Sequence, residues 1–352
     1  MLIILLGYTT YNLFFFLYLC IINKYTFMKT SMNINKRLTT LLVLMFSLVF
    51  TIAQEVTVSG LKYYLFPDTH EAAINNGNTW SGELNIPSEV NYDGKIYTVT
   101  GITWAAFEDC DGLTKVKLPK TIKKVINHVL SDDPSIGGAV SPDNMNPFVR
   151  CLSLESIEVD EENQDFNAVD GVLFSKDGTR LYSYPSGAKA QLYTIPEGVT
   201  WIGSSAFEAN KHLTSIVLPE TIGKLCGSVF YACSSLKVID IPQNISTIGS
   251  YAFGCCNPDA LVIRGILDYL DSYLFDELNE STKIYVPSTE LNRYKNKYNR
   301  SFFPLEDYFT GIKPSTSLFN NASTAYDFSG RTYHRSYGKG LYIQNGRKVV
   351  AR

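Results

Sequence analysis

The sequence predicts a repeat solenoid of 23-residue coils, mixed β and irregular, whose strands stack into a parallel sheet on the concave face. Three observations predict it. Phe207, Phe230, Phe253 and Phe275 follow one another at 23, 23 and 22 residues. Each has an aliphatic residue five places earlier (Ile202, Leu225, Ile248, Leu270) and a small or aliphatic one just before it (Ala206, Val229, Ala252, Leu274). A second block, Leu-x-x-Val/Ile-x-Leu/Ile-Pro, recurs as Leu113-Val116-Leu118-Pro119, Leu213-Ile216-Leu218-Pro219 and Leu236-Ile239-Ile241-Pro242. Pro196, Pro219 and Pro242 keep the same period, and recurrence at one period in several registers is the signature of a repeat architecture.

The physical reading of one coil is short. Alternation such as Ile216-x-Leu218 is a strand with one buried face. Pro219, lacking an N–H, ends its ladder pairing. The Ala-Phe block turns the chain back and fills the interior. A single coil cannot bury its own face, so neighbours must stack, with strands about 4.8 Å apart. Phe107, Phe207, Phe230, Phe253 and Phe275 are the expected core ladder.

The stretch Ile202-Gly203-Ser204-Ser205-Ala206-Phe207 through Leu213-Thr214-Ser215-Ile216-Val217-Leu218-Pro219 closely resembles the BspA-like, treponemal-type leucine-rich repeat. That unit has the form L-x-x-I-x-L-P … I-G-x-x-A-F-x-x-C. The resemblance spans about residues 84–287 and places Pro where the more familiar leucine-rich repeat often has Asn after the strand. It implies adhesion to host extracellular proteins or to other bacteria, and the expected leucine-rich-repeat coil is right-handed.

In chain order, residues 1–53 are an apolar targeting region with four basic residues and no acidic one. Met1–Ile22 is long enough to span a bilayer. Lys36-Arg37, the apolar run Leu38–Ala53 and the small residues Thr51 and Ala53 form a secretory signal peptide over about 32–53. Translation from Met28 or Met32 would make 1–27 a start-site artefact; the alternative is a genuine span followed by a second hydrophobic helix. Residues 54–100 are the expected amino-terminal cap, with Leu84-Ile86-Pro87 as a first, imperfect strand. Residues 101–287 are the repeats, with two insertions. One, at 131–150, is rich in Gly, Pro, Asp and Asn and reads as a loop. The other, at 160–190, joins two alternating runs around Asp177-Gly178, a hairpin signal; its D-G-V-L-F … K-D-G-T … Y-P-x-G pattern resembles an elongated repeat of the same family. Residues 288–324 are a carboxy-terminal cap and linker. Residues 325–352 carry a hairpin signal at Asn345-Gly346, and their pattern resembles a short type IX secretion sorting domain, implying surface attachment or release.

After residue 53 the chain has 27 basic and 34 acidic residues, a balance that argues against nucleic-acid binding. Its four histidines, His70, His128, His212 and His334, form no metal-binding pair, and no Walker, G-x-S-x-G or dinucleotide motif occurs. No catalytic residue, cofactor or metal is expected. Cys110, Cys233 and Cys256 stand three places after a repeat Phe, with Asn210 holding that place in another copy. A repeat-locked position argues for packing, and Cys233 with Cys255 or Cys256 is the disulfide pair worth testing. Cys151 and Cys226 have no evident partner.

Function is therefore sought on surfaces. The alternate strand positions Lys115, Lys117, Ser156, Glu158, Ser215, Val217, Val238, Asp240, Lys283 and Tyr285 are the candidate concave-face contacts. The expected partner is a protein or glycan, an extracellular host protein being one candidate, and membrane contact is confined to the targeting segment or to surface attachment. The alternative role is a structural or glycan-presenting accessory of the bacterial envelope.

Overall fold

The computed structural model describes residues 53–126 and 146–310, together with the backbone of four strands between 325 and 351. The leader readings for residues 1–52 and the linker reading for 313–324 lie outside the described residues.

The described residues open with an antiparallel hairpin, β1 (Gln54–Val58) and β2 (Leu61–Phe66), turned at Ser59 and Gly60, both at positive φ. β3 (Glu71–Ile74) pairs antiparallel with β2. Next come β4 (Gly82–Asn85), β5 (Glu89–Tyr92) and β6 (Lys95–Thr103). β3 lies parallel to β6, aligning Ile74 with Ile102, and β6 lies parallel to β8 (Lys124–Ile126), aligning Ile102 with Val125. β4, β7 (Leu113–Leu118) and β9 (Ser156–Val159) form a second parallel set in which Leu84, Val116 and Ile157 align. β4 holds Leu84, where the sequence suggests a first, imperfect strand within the cap, and β6 runs across the position 100/101.

β10 (Phe166–Val169), β11 (Val172–Ser175) and β12 (Arg180–Ser183) make an antiparallel meander. Its β11–β12 hairpin turns at Asp177-Gly178, as the sequence predicts. From there two strands alternate through the coils as far as Ile248. β13 (Leu192–Thr194), β15 (Ser215–Val217), β17 (Val238–Ile241), β19 (Ala260–Ile263) and β20 (Lys283–Val286) are parallel neighbours, ended by β21 (Phe302–Pro304). β14 (Trp201–Ile202), β16 (Lys224–Leu225) and β18 (Thr247–Ile248) continue from β12 as a second parallel ladder. The single sheet expected from sequence is therefore two ladders over these coils. The Ile-Gly strands are two residues long, too short to show a period.

Between the ladders the chain makes the Ala-Phe turn. Its shape rests on left-handed residues flanking the Phe: Ser205 and Ala209, Ser228 and Ala232, Tyr251 and Cys255. These non-glycine residues carry a conformational cost. It is offset by amide pairing between successive turns, in which the Phe207 N–H donates to Val229 O and the Phe230 N–H to Ala252 O, both at 2.9 Å.

All five expected ladder phenylalanines are buried, but the stack is not one column. Phe107 stacks on Phe148 at 5.6 Å. Tyr184 takes the Phe place before Phe207, 4.9 Å away, and Phe207, Phe230 and Phe253 follow at 5.3 and 6.2 Å. Phe275 packs on Phe302 and Tyr298 of the cap. Phe148 corrects the first insertion. Residues 146–150 are not loop but an Ala-Phe turn: the Phe107 N–H donates to Pro147 O and the Asp109 N–H to Val149 O. The inserted stretch lies earlier, and residues 127–145 lie outside the described residues. Cys151 then holds the repeat Cys place. Thiols there donate to the Phe carbonyl of the preceding coil: Cys151 to Phe107, Cys233 to Phe207 and Cys256 to Phe230, at 2.9, 3.0 and 2.8 Å. The six described cysteines are free, and Cys233 is bonded to neither Cys255 nor Cys256.

The meander separates the buried side chains into two principal clusters. It joins the β9 region through Ile157 N–H to Gly171 O (2.9 Å) and Gly187 N–H to Leu154 O (2.8 Å). Gly187 is required there, since a Cβ would lie 2.6 Å from the Ser153 carbonyl carbon. At the other end, α1 (Leu291–Lys297) brings Tyr294 against Phe275, and α2 (Leu305–Thr310) lays Leu305 and Tyr308 over Val238, Ala260, Val262 and Tyr285. In the tail, β22 (Ala325–Asp327), β23 (Thr332–Tyr333), β24 (Gly340–Gln344) and β25 (Arg347–Ala351) form an antiparallel sheet. β24 and β25 pair across Asn345-Gly346 with Gln344 opposite Arg347, the hairpin expected there.

Candidate binding surface

Strand alternation decides which side chains the β4–β7–β9 sheet offers outward. In β7, Val116 and Leu118 are buried while Lys115 and Lys117 point away; in β9, Ile157 is buried while Ser156 and Glu158 point away. Register aligns Lys115 with Ser156 and Lys117 with Glu158. Diagonally, the Lys115 ammonium pairs with the Glu158 carboxylate at 2.5 Å. That hydrogen bond holds Glu158 below the usual carboxylate range and raises Lys115. Both are well exposed, so the pair fixes side-chain position more than it stabilises the fold.

Over this face lies an open cleft of about 1060 Å³. Asn85, Lys117, Ser156 and Glu158 form its floor. The β10–β11 turn contributes Ala168 and Gly171, and Asp160, Glu161 and Glu162 form an acidic rim. Lys120 bridges to Glu162 at 2.6 Å. The floor residues were legible as outward strand positions. The wall was not, because it comes from a hairpin whose place beside β9 depends on backbone pairing rather than on any repeat.

The remaining candidate contacts are not part of this cleft. Val217 is buried. Asp240 accepts from Arg264 at 3.0 Å, which also reaches Glu220 at 2.9 Å. Val238 and Tyr285 lie beneath Leu305 and Tyr308. Ser215 is half-buried and Lys283 exposed at the edge of that covered region. The covering of Val238 and Tyr285 has a local cause: β19 carries Ala260 and Val262 outward, an apolar row that a cap helix covers. Leu305 and Tyr308 were missed because a six-residue helix gives too few turns for a periodic signal.

Among the described residues no three His, Cys, Asp or Glu side chains converge as a metal site, and no helix is long and apolar enough to cross a membrane.

The model of the BspA type leucine rich repeat region matches six times, over residues 96–168 and 182–302. The chain belongs to the BspA-type leucine-rich repeat family. Similar solved structures include the pneumococcal vaccine antigen PcpA, with 16% identity over 72% of this chain and 99% of that one and a TM-score of 0.36. A leucine rich cell surface protein from Faecalibacterium prausnitzii has 18% identity over 70% and 98%, TM-score 0.35. The T. pallidum leucine rich repeat protein has 18% identity over 71% and 100%, TM-score 0.30. A search of curated proteins finds no significant match. For this BspA-type chain the family match accounts for the repeat; the cleft wall and the cap helix are features to be explained from its own residues.

Proposed function

We propose that this chain is an exported, cell-surface binding protein, without catalysis, that recognises a protein partner through the outer face of its amino-terminal coils. One observation carries the reading: the outer face of the β4–β7–β9 sheet forms a polar, walled cleft, whereas the outward residues of β17, β19 and β20 are covered by α2. A groove with fixed charges of both signs suits a polar protein surface, where complementary charges give specificity and orient the encounter. Membership of the BspA-type family and the leader pattern of residues 32–53 support export and adhesion. In this reading the coils wind right-handed with the β4–β7–β9 face concave, as extended solenoid faces used for binding generally are, and the tail serves surface sorting.

The test is adhesion. Cells displaying the protein should bind immobilised matrix proteins, and the charge reversals Lys117→Glu and Glu158→Lys should each reduce that binding at least tenfold while leaving display unchanged. Loss of display on deleting residues 325–352 supports the sorting role. Full adhesion by both reversal variants sinks the cleft as the contact surface.

A further inference from the structure

The Ala-Phe turns present a second surface, and its two ends differ in one respect. At the amino-terminal end Glu108 and Asp109 follow Phe107, Arg150 stands two places after Phe148, and Glu208 follows Phe207. The Arg150 guanidinium lies among these carboxylates, with Nη2 on Glu108 at 2.7 Å, Nε on Asp109 at 2.7 Å and Nη1 on Glu208 at 3.1 Å. At the carboxy-terminal end the same places again hold acids: Asp276 and Glu277 follow Phe275, with Asp271 four places before it. Here only neutral donors answer them: Asp271 accepts from the Ser250 hydroxyl at 2.9 Å and the Tyr273 N–H at 2.8 Å, and Glu277 from the Tyr231 hydroxyl. Among the described residues none of the three joins an ion pair, whereas Glu155, Glu158, Glu162, Glu220, Asp240 and Glu290 each do.

A second, independent feature adjoins these acids. Tyr251 and Tyr273 stack on adjacent turns, with ring centroids 5.5 Å apart and planes at 11°. Tyr273 is 52% exposed. The Tyr251 N–H donates to Tyr273 O and the Cys255 N–H to Glu277 O, both at 2.9 Å, which places acids and rings on adjoining turns. Tyr231 completes it. Its ring lies over Gly254, where a Cβ would come within 2.7 Å, and its hydroxyl donates to Glu277 at 2.6 Å. Cys255, the exposed cysteine of the described set, touches both.

We propose that this tyrosine and carboxylate patch on the last turns docks an arginine-bearing peptide segment of a partner protein. A guanidinium stacks on tyrosine faces and pairs carboxylates in a planar fork, which a lysine ammonium does only as a point charge. Arg150 shows the same group held by carboxylates of this turn surface within the chain itself. Residues 54–310 carry 20 basic against 33 acidic residues, which draws a cationic partner toward the molecule. The patch is distinct from the β4–β7–β9 cleft, and the two fail separately.

The test titrates the full chain with a fluorescent nona-arginine peptide, and with nona-lysine and nona-citrulline peptides of the same length. Saturable binding of the arginine peptide is expected, at least tenfold tighter than the lysine peptide. It should weaken at least tenfold in Tyr273→Ala and in the double variant Asp276→Asn/Glu277→Gln, and stay unchanged in the cleft variant Lys117→Ala. Bound peptide should slow alkylation of Cys255, followed by mass spectrometry. Undiminished binding in both patch variants, equal binding of lysine or citrulline peptide, or an unchanged Cys255 rate would overturn the proposal.

Discussion

The two ends of this molecule use the same coil and leave opposite surfaces free. In the amino-terminal coils the outer ladder face is open and walled by a hairpin, while the turn surface is locked by Arg150. In the carboxy-terminal coils α2 covers the outer face, while the turn surface carries uncompensated acids beside exposed tyrosines. The difference teaches that the repeat fixes the interior and leaves both surfaces to individual residues. A single arginine or a single short helix decides which one is offered.

The comparison breaks most strongly in the core. Phe230 is sandwiched between Phe207 and Phe253, whereas Phe148 stacks on Phe107 beside the boundary between the two core clusters. Phe230→Ala should lower stability by about 3–5 kcal/mol. Phe148→Ala should cost roughly 1–2 kcal/mol less, since relaxation at the boundary leaves a smaller cavity. Urea unfolding of both variants measures this, and equal losses would mean that the meander does not loosen the core. Next in size is Arg150. Glu208 has only 6% of its side chain exposed, so Arg150→Ala leaves a buried charge without its partner. Because Arg150 itself is partly solvated, the expected loss is about 2 kcal/mol rather than the full value of a buried pair. Asp276→Asn, which breaks no ion pair, should change stability by less than about 0.5 kcal/mol.

Much of the interior was legible in the sequence, and for a physical reason. Burial in a stacked coil repeats at fixed positions, so Ile202, Phe207, Leu213, Ile216 and Leu218 announce themselves by period. What was not legible falls where the period is broken or too short. Phe148 and Cys151 occupy ordinary repeat places but follow their aliphatic partner Val125 only after an insertion. Tyr184 substitutes for Phe at the end of a meander. The cleft floor could be read from strand alternation, as Lys117 and Glu158 show. The covering of Val238 and Tyr285 could not, because Leu305 and Tyr308 reach them from a separate element. Alternation says which side chains point outward; it does not say what lies over them.

That covering gives a third, smaller effect. Tyr308→Ala removes most of the apolar cover from Ala260 and Val262 and should cost about 1–2 kcal/mol. It should also raise amide exchange in β19 and β20 while leaving β7 and β9 unchanged. Faster exchange in both ends would show that the two outer faces are not independently built.

A pH-dependent effect concerns the meander between the two ends. Asp177 accepts hydrogen bonds from the Ser175 hydroxyl at 2.6 Å and from the Thr179 N–H and hydroxyl at 3.0 and 2.9 Å. These donors, Ser175 foremost, hold its carboxyl down at about 2. In the unfolded chain an aspartate titrates near about 3.9. The depressed folded value means that the ionised form favours the folded state. Its contribution is complete above about pH 4 and is lost as pH falls toward about 2. Asp177→Asn removes the titration, so the stability gap between the parent and this variant should narrow across that window. A gap that stays constant from pH 5 to pH 2 would mean that the hairpin turn does not depend on the charge. Because Ser175 and Thr179 flank the turn joining β11 to β12, the same acid step should loosen the β11–β12 pairing before either end of the solenoid responds.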